Sequence, residues 1–411
     1  MLKRVVSLYR QAYSGLPAEI WMLSAALFVN RLGTMVLPFL TLYLTKSEGY
    51  SDSTAGMMVS VYGIGSVIGA YLGGRLTRPV GAIRIQVILL FVSVPLFVSL
   101  PFCKSIYALA ANILLLSIAS EGVRPANATA ISEYSSKELR TRSYALQRMA
   151  LNLGVSFGPA IGGLLIAFDF FWIFVADAAT TAACAALLWY MFGLDGLRQP
   201  TSDDEVTEQQ AVRSPARDPE FMIFLSLIFL SALVLFQFYT TYPLYLTEHY
   251  GLTEFQIGLI YAVNTILIVI FEMVLVEYAK KWRLMLTVAW GSCLASLGFG
   301  ILPFSSAVWF CVFAMVVFTI GEMLSAPMAT SWVSQRSERG DTGQYMGWNT
   351  MAYAVAFIIA PTAGGFIYEH NPHLVFYLAI VVAFVVLIGF LLLGRHLEKS
   401  EPKTESEPEM V

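Results

Sequence analysis

Charge is what this sequence has least of. Only 13% of its 411 residues are Asp, Glu, Lys or Arg, against roughly 25% in an ordinary soluble domain. The net charge is −3, too small to argue for nucleic acid or any other polyionic partner. Cysteine is equally sparse: Cys103, Cys184, Cys293 and Cys311 lie in or beside apolar segments without ligand spacing. They read as small apolar residues, not as a disulfide or metal framework, and no metal or cofactor is expected. The four histidines (His249, His370, His373, His396) fall in loops or at span ends, which excludes a histidine relay inside the membrane. No GxxxxGK[ST] pattern occurs, which argues against intrinsic ATP drive. An HExxH pair and in-span Asp–His pairs are also missing, so a membrane-embedded enzyme is not expected.

Hydrophobic residues, by contrast, make up 57% of the chain, and the mean hydropathy is +0.68. Apolar stretches of about 20 residues, the length that crosses a ~30 Å hydrocarbon layer, recur throughout. Breaking the chain at charged and turn-rich points gives twelve spans: 19–44, 54–77, 84–102, 106–130, 144–167, 170–193, 219–246, 254–278, 284–303, 306–333, 343–368 and 373–394. The expected fold is therefore an all-α membrane protein with lipid on its flanks. The apolar run after Lys3, Arg4 and Arg10 is too long for a signal-peptide core and is expected to be an uncleaved first span.

Positive charge orients these spans. Of 25 Lys and Arg, 20 fall in the termini and in the loops after spans 2, 4, 6, 8 and 10. Only Lys46 and Lys104 lie on the other side, and Arg31, Arg124 and Arg148 are inside spans. That asymmetry predicts both termini in the cytoplasm, in a bacterial inner membrane. Polar residues 198–218 separate two six-span halves, 1–197 and 219–394, and 395–411 reads as a disordered tail. A shift of 202 superposes Pro125 on Pro327, Pro159 on Pro361 and Gly162-Gly163 on Gly364-Gly365. Two pseudo-symmetric six-helix halves with a substrate path between them are a transporter architecture. The expected partners are a small-molecule substrate and protons, with the chain working as a monomer.

Residues 154–163 read GVSFGPAIGG, the poorest helix formers inside an apolar span. Lipid leaves a helix nowhere else to satisfy its backbone, so Gly and Pro are tolerated there. Gly154, Gly158 and Gly162 line one face, and Pro159 leaves the carbonyl four residues back without its usual partner. The stretch is either a hinge or sliding surface, or a small-residue packing seam. Ionisable residues within spans are functional candidates because each costs a few kcal/mol to bury in lipid. Glu121 and Arg124 are spaced to pair on one helix face. Arg31 sits near the midplane beside Asn30, while Arg148, one turn in, can snorkel. Glu322, Glu272 and Asp177 are the candidate proton carriers, with Glu322 preferred because it lies beside Gly321 and ahead of Pro327. Tyr239 and Tyr242 are candidate cavity aromatics.

These motifs resemble the major facilitator superfamily of secondary transporters over nearly the whole chain. Gly154-x-x-x-Gly158-Pro159-x-x-Gly162-Gly163 is similar to the fifth-span motif of its drug:proton antiporter branch. GGRLTRPVGAIR (73–84) resembles the superfamily signature at Gly74, Leu76, Gly81 and Arg84. It departs from it at Arg78, where Asp is usual, and at Pro79, where a basic residue is usual. In the family that Asp helps latch the halves, so a latch here would run through Arg75 or Arg78 to an acid of the other half, or these arginines only fix topology. SEGVRPANATA (120–130), with Glu121, Arg124 and Asn127, resembles the antiporter motif centred on an intramembrane Arg. NRLGTMVLPFLTLYLT (30–45) is loosely similar to proton-coupled oligopeptide transporters, with Asn30 in place of an acid. The resemblance implies proton-driven alternating access: efflux of a drug-like or amphipathic compound by antiport, or alternatively proton-coupled uptake of a peptide or other nutrient. The gating residues it implies are Gly74, Arg78, Gly81, Arg84, Gly154, Gly158, Pro159, Gly162 and Gly163.

Overall fold

A computed structural model describes residues 15–136, 139–193, 215–279, 281–337 and 342–400. Among them there is no strand, and eleven helices are long and apolar enough to cross a membrane. A shorter apolar helix, Leu284–Gly300, supplies the remaining span. The chain is thus a multi-pass, twelve-span, all-α membrane protein. The helices are α1 (Ala18–Leu32), α2 (Val36–Leu42), α3 (Asp52–Val80), α4 (Ala82–Ser99), α5 (Ile106–Tyr134), α6 (Arg140–Ile166) and α7 (Phe171–Phe192) in the first half. The second half holds α8 (Pro219–Leu235), α9 (Thr241–Tyr250), α10 (Glu254–Ala279), α11 (Leu284–Gly300), α12 (Val308–Ser337), α13 (Thr342–His370) and α14 (Pro372–Ser400).

Two spans expected to be continuous are broken. The first divides at Gly33–Met35 into α1 and α2, and the seventh passes through a 3-10 turn at Phe236–Tyr239 between α8 and α9. A shift of 202 carries one break onto the other. Each break frees backbone groups that lipid cannot satisfy, and each is repaired by a distant side chain. The Asp177 carboxylate accepts from the amides of Met35 (3.2 Å) and Val36 (3.0 Å). At the second break the Phe238 carbonyl accepts from Tyr261 Oη at 2.8 Å and the Tyr239 carbonyl accepts from Thr41 Oγ1 at 2.9 Å.

The expected linker and tail are shorter than the polarity of 198–218 and 395–411 suggested. Pro215–Arg217 forms one 3-10 turn, and Asp218 caps α8 by accepting from the Phe221 amide at 3.1 Å. Helix α14 continues to Ser400. Arg283 pairs with Glu398 at 2.8 Å and His396 approaches Glu220 at 3.4 Å, which ties that last turn to the bundle. Residues 198–214 and 401–411 lie outside the described residues.

The apolar core is divided unequally between the two sides of the membrane. On the terminus side each half has its own cluster. Ile20, Leu23, Ile83, Ile131 and Leu188 build one, and Phe221, Phe224, Trp332, Tyr345 and Phe390 the other. On the far side one cluster runs through both halves, joining Phe39, Tyr43 and Phe174 to Tyr245, Tyr261, Phe299 and Phe376. The apolar core is thus fused across the halves on the far side and separate on the terminus side, where the Arg148–Glu272 ion pair still crosses between the halves.

Candidate transport site

Close backbone approach and cross-half polar contacts both mark the far-side closure. A Cβ at Gly56 or Gly365 would collide with the Pro361 or Asp52 carbonyl, so α3 and α13 touch backbone to backbone. Gly163 meets Glu254, and Gly258 meets the Pro159 carbonyl, in the same way between α6 and α10. Lys46 pairs with Glu254 at 2.6 Å. Glu369 accepts from the Ser53 amide at 3.1 Å, and the Thr362 hydroxyl meets Ser60 Oγ at 2.7 Å. Thr41 donates to the Tyr239 carbonyl at 2.9 Å.

The fifth-span motif therefore has two faces. Gly154, Gly158 and Gly162 pack against the first span of their own half. Gly154 lies on Arg31, Gly158 faces the carbonyls of Arg31, Leu32 and Thr34 at the helix break, and Gly162 meets Met35. Pro159, Ala160 and Gly163 meet the other half, through α10. The glycine repeat is a seam for the broken first span, and the Pro-Gly edge is the interface between halves.

At mid-membrane two cavities flank the parting between the halves. One, of about 60 Å³, lies in the first half and is lined by Asn30, Arg31, Tyr62, Ser120, Glu121 and Asp177 among others. The second, about 220 Å³, lies in the second half against Ser292, Ser296, Phe318, Glu322, Ser325 and Tyr353. Tyr239 lies within electrostatic range of Glu322, Glu121, Arg124 and Arg31. Arg31, Glu121, Arg124, Tyr239 and Glu322, distant in sequence, are thus one neighbourhood.

The charges in that neighbourhood are not equally compensated. Glu121 accepts from Tyr62 Oη and from Arg124 Nη1, each at 3.2 Å. The Arg124 side chain remains 68% exposed. Asn127 accepts from Gln147. Glu272 is held by Arg148 across the halves, so Arg148 has an ionic partner instead of snorkelling. Glu322 receives one neutral hydrogen bond, from Asn264 at 3.1 Å, and has no cationic partner among the described residues. Among the described residues Arg31 also has no ion pair, and its Nε is buried without a hydrogen bond. In this neighbourhood, among the described residues, Arg31 and Glu322 on opposite halves have no ionic partner.

Two expected roles change with this geometry. Asp177 is only 2% exposed and already accepts two amides at the start of α2, so it acts as a helix cap. Tyr242 is 3% exposed and stacks on Phe238 inside the fused far-side core, away from the cavity. At the signature loop, Gly81 has φ +96° and turns the chain into α4, while Gly74 and Arg84 are exposed. Arg75 donates to Tyr71 of its own helix at 3.3 Å, so it does not latch the other half in this state. The Arg78 side chain lies outside the described residues. Sequence reasoning missed Asn264, Tyr62 and Tyr353. Asn264 carried a signal, an amide in an apolar helix, whereas the tyrosines were indistinguishable from other in-span aromatics.

A two-half, twelve-span bundle with broken first helices and a charged midplane defines the class of secondary transporters. The sequence matches the profile of the Major Facilitator Superfamily over residues 23–361 and 287–410, and the chain belongs to that family of membrane transporters. It is 26% identical to an uncharacterized MFS-type transporter, YttB, of Bacillus subtilis (strain 168), over 95% of this chain and 99% of that one. It is 24% identical to Multidrug resistance protein 1 of the same organism, over 86% and 91% of the two chains. Among solved structures, a POT family transporter in complex with 5-aminolevulinic acid superposes with TM-score 0.77 at 17% identity, covering 94% of this chain and 97% of that one. That likeness concerns the fold alone.

Proposed function

We propose that this chain exports a small amphipathic organic compound from the cytoplasm in exchange for protons, with Glu322 as the proton-carrying carboxyl. The observation that carries the reading is the contrast among the midplane acids. Glu121 and Glu272 each hold an arginine, whereas Glu322 faces a cavity, takes a hydrogen bond from Asn264 and has no cationic partner among the described residues. A carboxyl with a fixed cationic partner stays ionised, while one with neutral neighbours exchanges its proton as hydration changes. In the proposed orientation the termini are cytoplasmic, as the Lys and Arg asymmetry requires, and the terminus side faces the cytoplasm of a bacterial inner-membrane protein acting as a monomer. The fifth-span seam and the relative named as a multidrug resistance protein support export. Proton-coupled uptake is the second reading, favoured by Arg31, whose buried Nε has no hydrogen-bond partner and suits a nutrient carboxylate.

The test is a pH jump in proteoliposomes. With the export reading, substrate and protons move in opposite directions, and Glu322→Gln stops gradient-driven transport while leaving exchange at equal pH. Movement in the same direction would favour uptake. Uphill accumulation by Glu322→Gln at the wild-type rate would place the proton site elsewhere.

A further inference from the structure

We infer that a lipid-facing groove between α4 and α5 holds an acyl chain of an anionic phospholipid, with Arg84 binding the headgroup phosphate. Such a site is separate from the midplane charges and from the proton reading above.

The groove exists because the two halves pack the same pair of spans differently. The shift of 202 that relates the halves carries Leu100-Pro101-Phe102 onto Leu302-Pro303-Phe304, each a 3-10 turn at the end of its span. It therefore carries α4 onto α11 and α5 onto α12. In the second half Gly291, Gly298 and Gly321 bring α11 and α12 backbone to backbone, since a Cβ at any of them would lie within 2.6 Å of a main-chain nitrogen. The same shift puts Leu89, Leu96 and Ala119 at those three positions in the first half. Small residues let membrane helices approach closely, and larger ones hold the axes apart. The seam that is shut in the second half is open to lipid in the first, as a groove of about 680 Å³ with Leu89, Leu96 and Ala119 in its wall.

The groove suits hydrocarbon with a charged end. Every residue lining it is apolar, among them Ile88, Phe91, Val92, Pro95 and Leu115. From Val87 to Leu96 it runs about 14 Å along α4 at the helical rise. That is close to half of the ~30 Å hydrocarbon layer, the depth of one leaflet. At the terminus-side end Arg84 stands one turn before Ile88, on the same exposed stripe as Ile88, Phe91, Val92 and Pro95. Arg84 is exposed and in no ion pair among the described residues. Its counterpart in the second half is Leu286, so that half offers neither the opening nor the cation at this place. A guanidinium binds phosphate oxygens in pairs, and basic residues at a membrane surface favour anionic lipid. A chain lying between two helices also meets protein on both sides, so its dispersion contacts exceed those on a convex helix face.

The experiment reconstitutes the full chain in phosphatidylcholine vesicles with a rising fraction of phosphatidylglycerol, bromine being placed on the acyl chains of one lipid or the other. Bromine quenches a neighbouring indole, and Trp189 of α7 lies against the groove wall, its ring 6.2 Å from that of Phe91. The reading is the part of the quenching that is lost in Trp189→Phe. Phosphatidylglycerol should bind here about fivefold more tightly than phosphatidylcholine, the preference given by one basic residue at the surface. Arg84→Gln should bring the ratio to about one. Arg75→Gln, which removes a charge from the same side of the membrane at α3, should leave it at about five. Ile118→Phe, which narrows the groove and keeps Arg84, should lower it about twofold. If Arg84→Gln does not fold, Arg84→Leu, which copies Leu286, decides in its place. A wild-type ratio near one, or a ratio that survives loss of Arg84, overturns the inference. So does an equal fall in Arg75→Gln, which is what diffuse surface charge gives, or an unchanged ratio in Ile118→Phe.

Discussion

Gly163→Ala offers the most direct test of how the far side is closed. Gly163 lies near the end of α6, and a Cβ there would overlap the Glu254 carbonyl and come within 2.8 Å of Phe255 Cα. Ordinary contact begins at 3.4 Å, so the shortfall is about 0.6 Å at Phe255 Cα and larger at the Glu254 carbonyl oxygen, and the nearest clashing atoms are backbone that cannot rotate away. Overpacking of this kind costs about 1–3 kcal/mol. The cost falls only on the state in which α6 and α10 touch. If the halves part there in the alternate state, the equilibrium shifts towards far-side opening by about 5- to 150-fold. The measurement is a pulsed electron-resonance distance between spin labels at Lys104 and Ser306, exposed far-side positions in the two halves, in a background free of the four native cysteines. Gly163→Ala should populate a longer distance. Gly74→Ala, where a Cβ meets only Pro125 at 3.7 Å, should not. An unchanged distance distribution in Gly163→Ala, in protein that still folds, would show that this contact does not belong to a moving interface.

Three further outcomes follow from the polar contacts. Arg336 is bonded to Asp218 through two 2.7 Å hydrogen bonds and also to Glu220, all nearly buried at the start of α8. Burial pushes the Asp218 carboxyl up, but the Arg336 hydrogen bonds, the Phe221 amide and Tyr345 outweigh it and hold the group below the usual carboxylate range. A depressed carboxyl contributes stability that is present above its unfolded value of about 3.9 and is lost as pH falls through the lower folded value. Thermal unfolding in detergent should therefore show an acid-dependent loss below about pH 4 that is smaller in Asp218→Asn, and a pH profile identical in the two proteins contradicts the assignment. Arg336→Ala, which strands the two acids, should cost about 3–5 kcal/mol. Asp177→Asn keeps an acceptor for the Met35 and Val36 amides and should keep gradient-driven transport. Loss of that transport with exchange intact would return Asp177 to the proton pathway.

The spans were legible in the sequence because the bilayer imposes a local rule: a helix that crosses it needs about 20 apolar residues in a row. Arg31, Glu121, Arg124 and Glu322 stood out for the same reason, since charge inside such a run is rare. Partnership is not a local property, and there the sequence ran out. The two amides that Asp177 caps belong to Met35 and Val36, more than a hundred positions away. Arg148 read as a snorkelling residue until α10 brought Glu272 to it. Tyr239 and Tyr242 are neighbours of one residue type in the same broken span. Tyr239 packs at the edge of the far-side core within electrostatic range of the midplane charges, whereas Tyr242 is buried inside that core. The Gly-Pro motif announced close packing, but only the fold divided it into a seam against the first span and an edge against the other half. Composition and periodicity act within a helix. Which charge is left without a counter-ion depends on distances between helices, and the tertiary structure alone sets those.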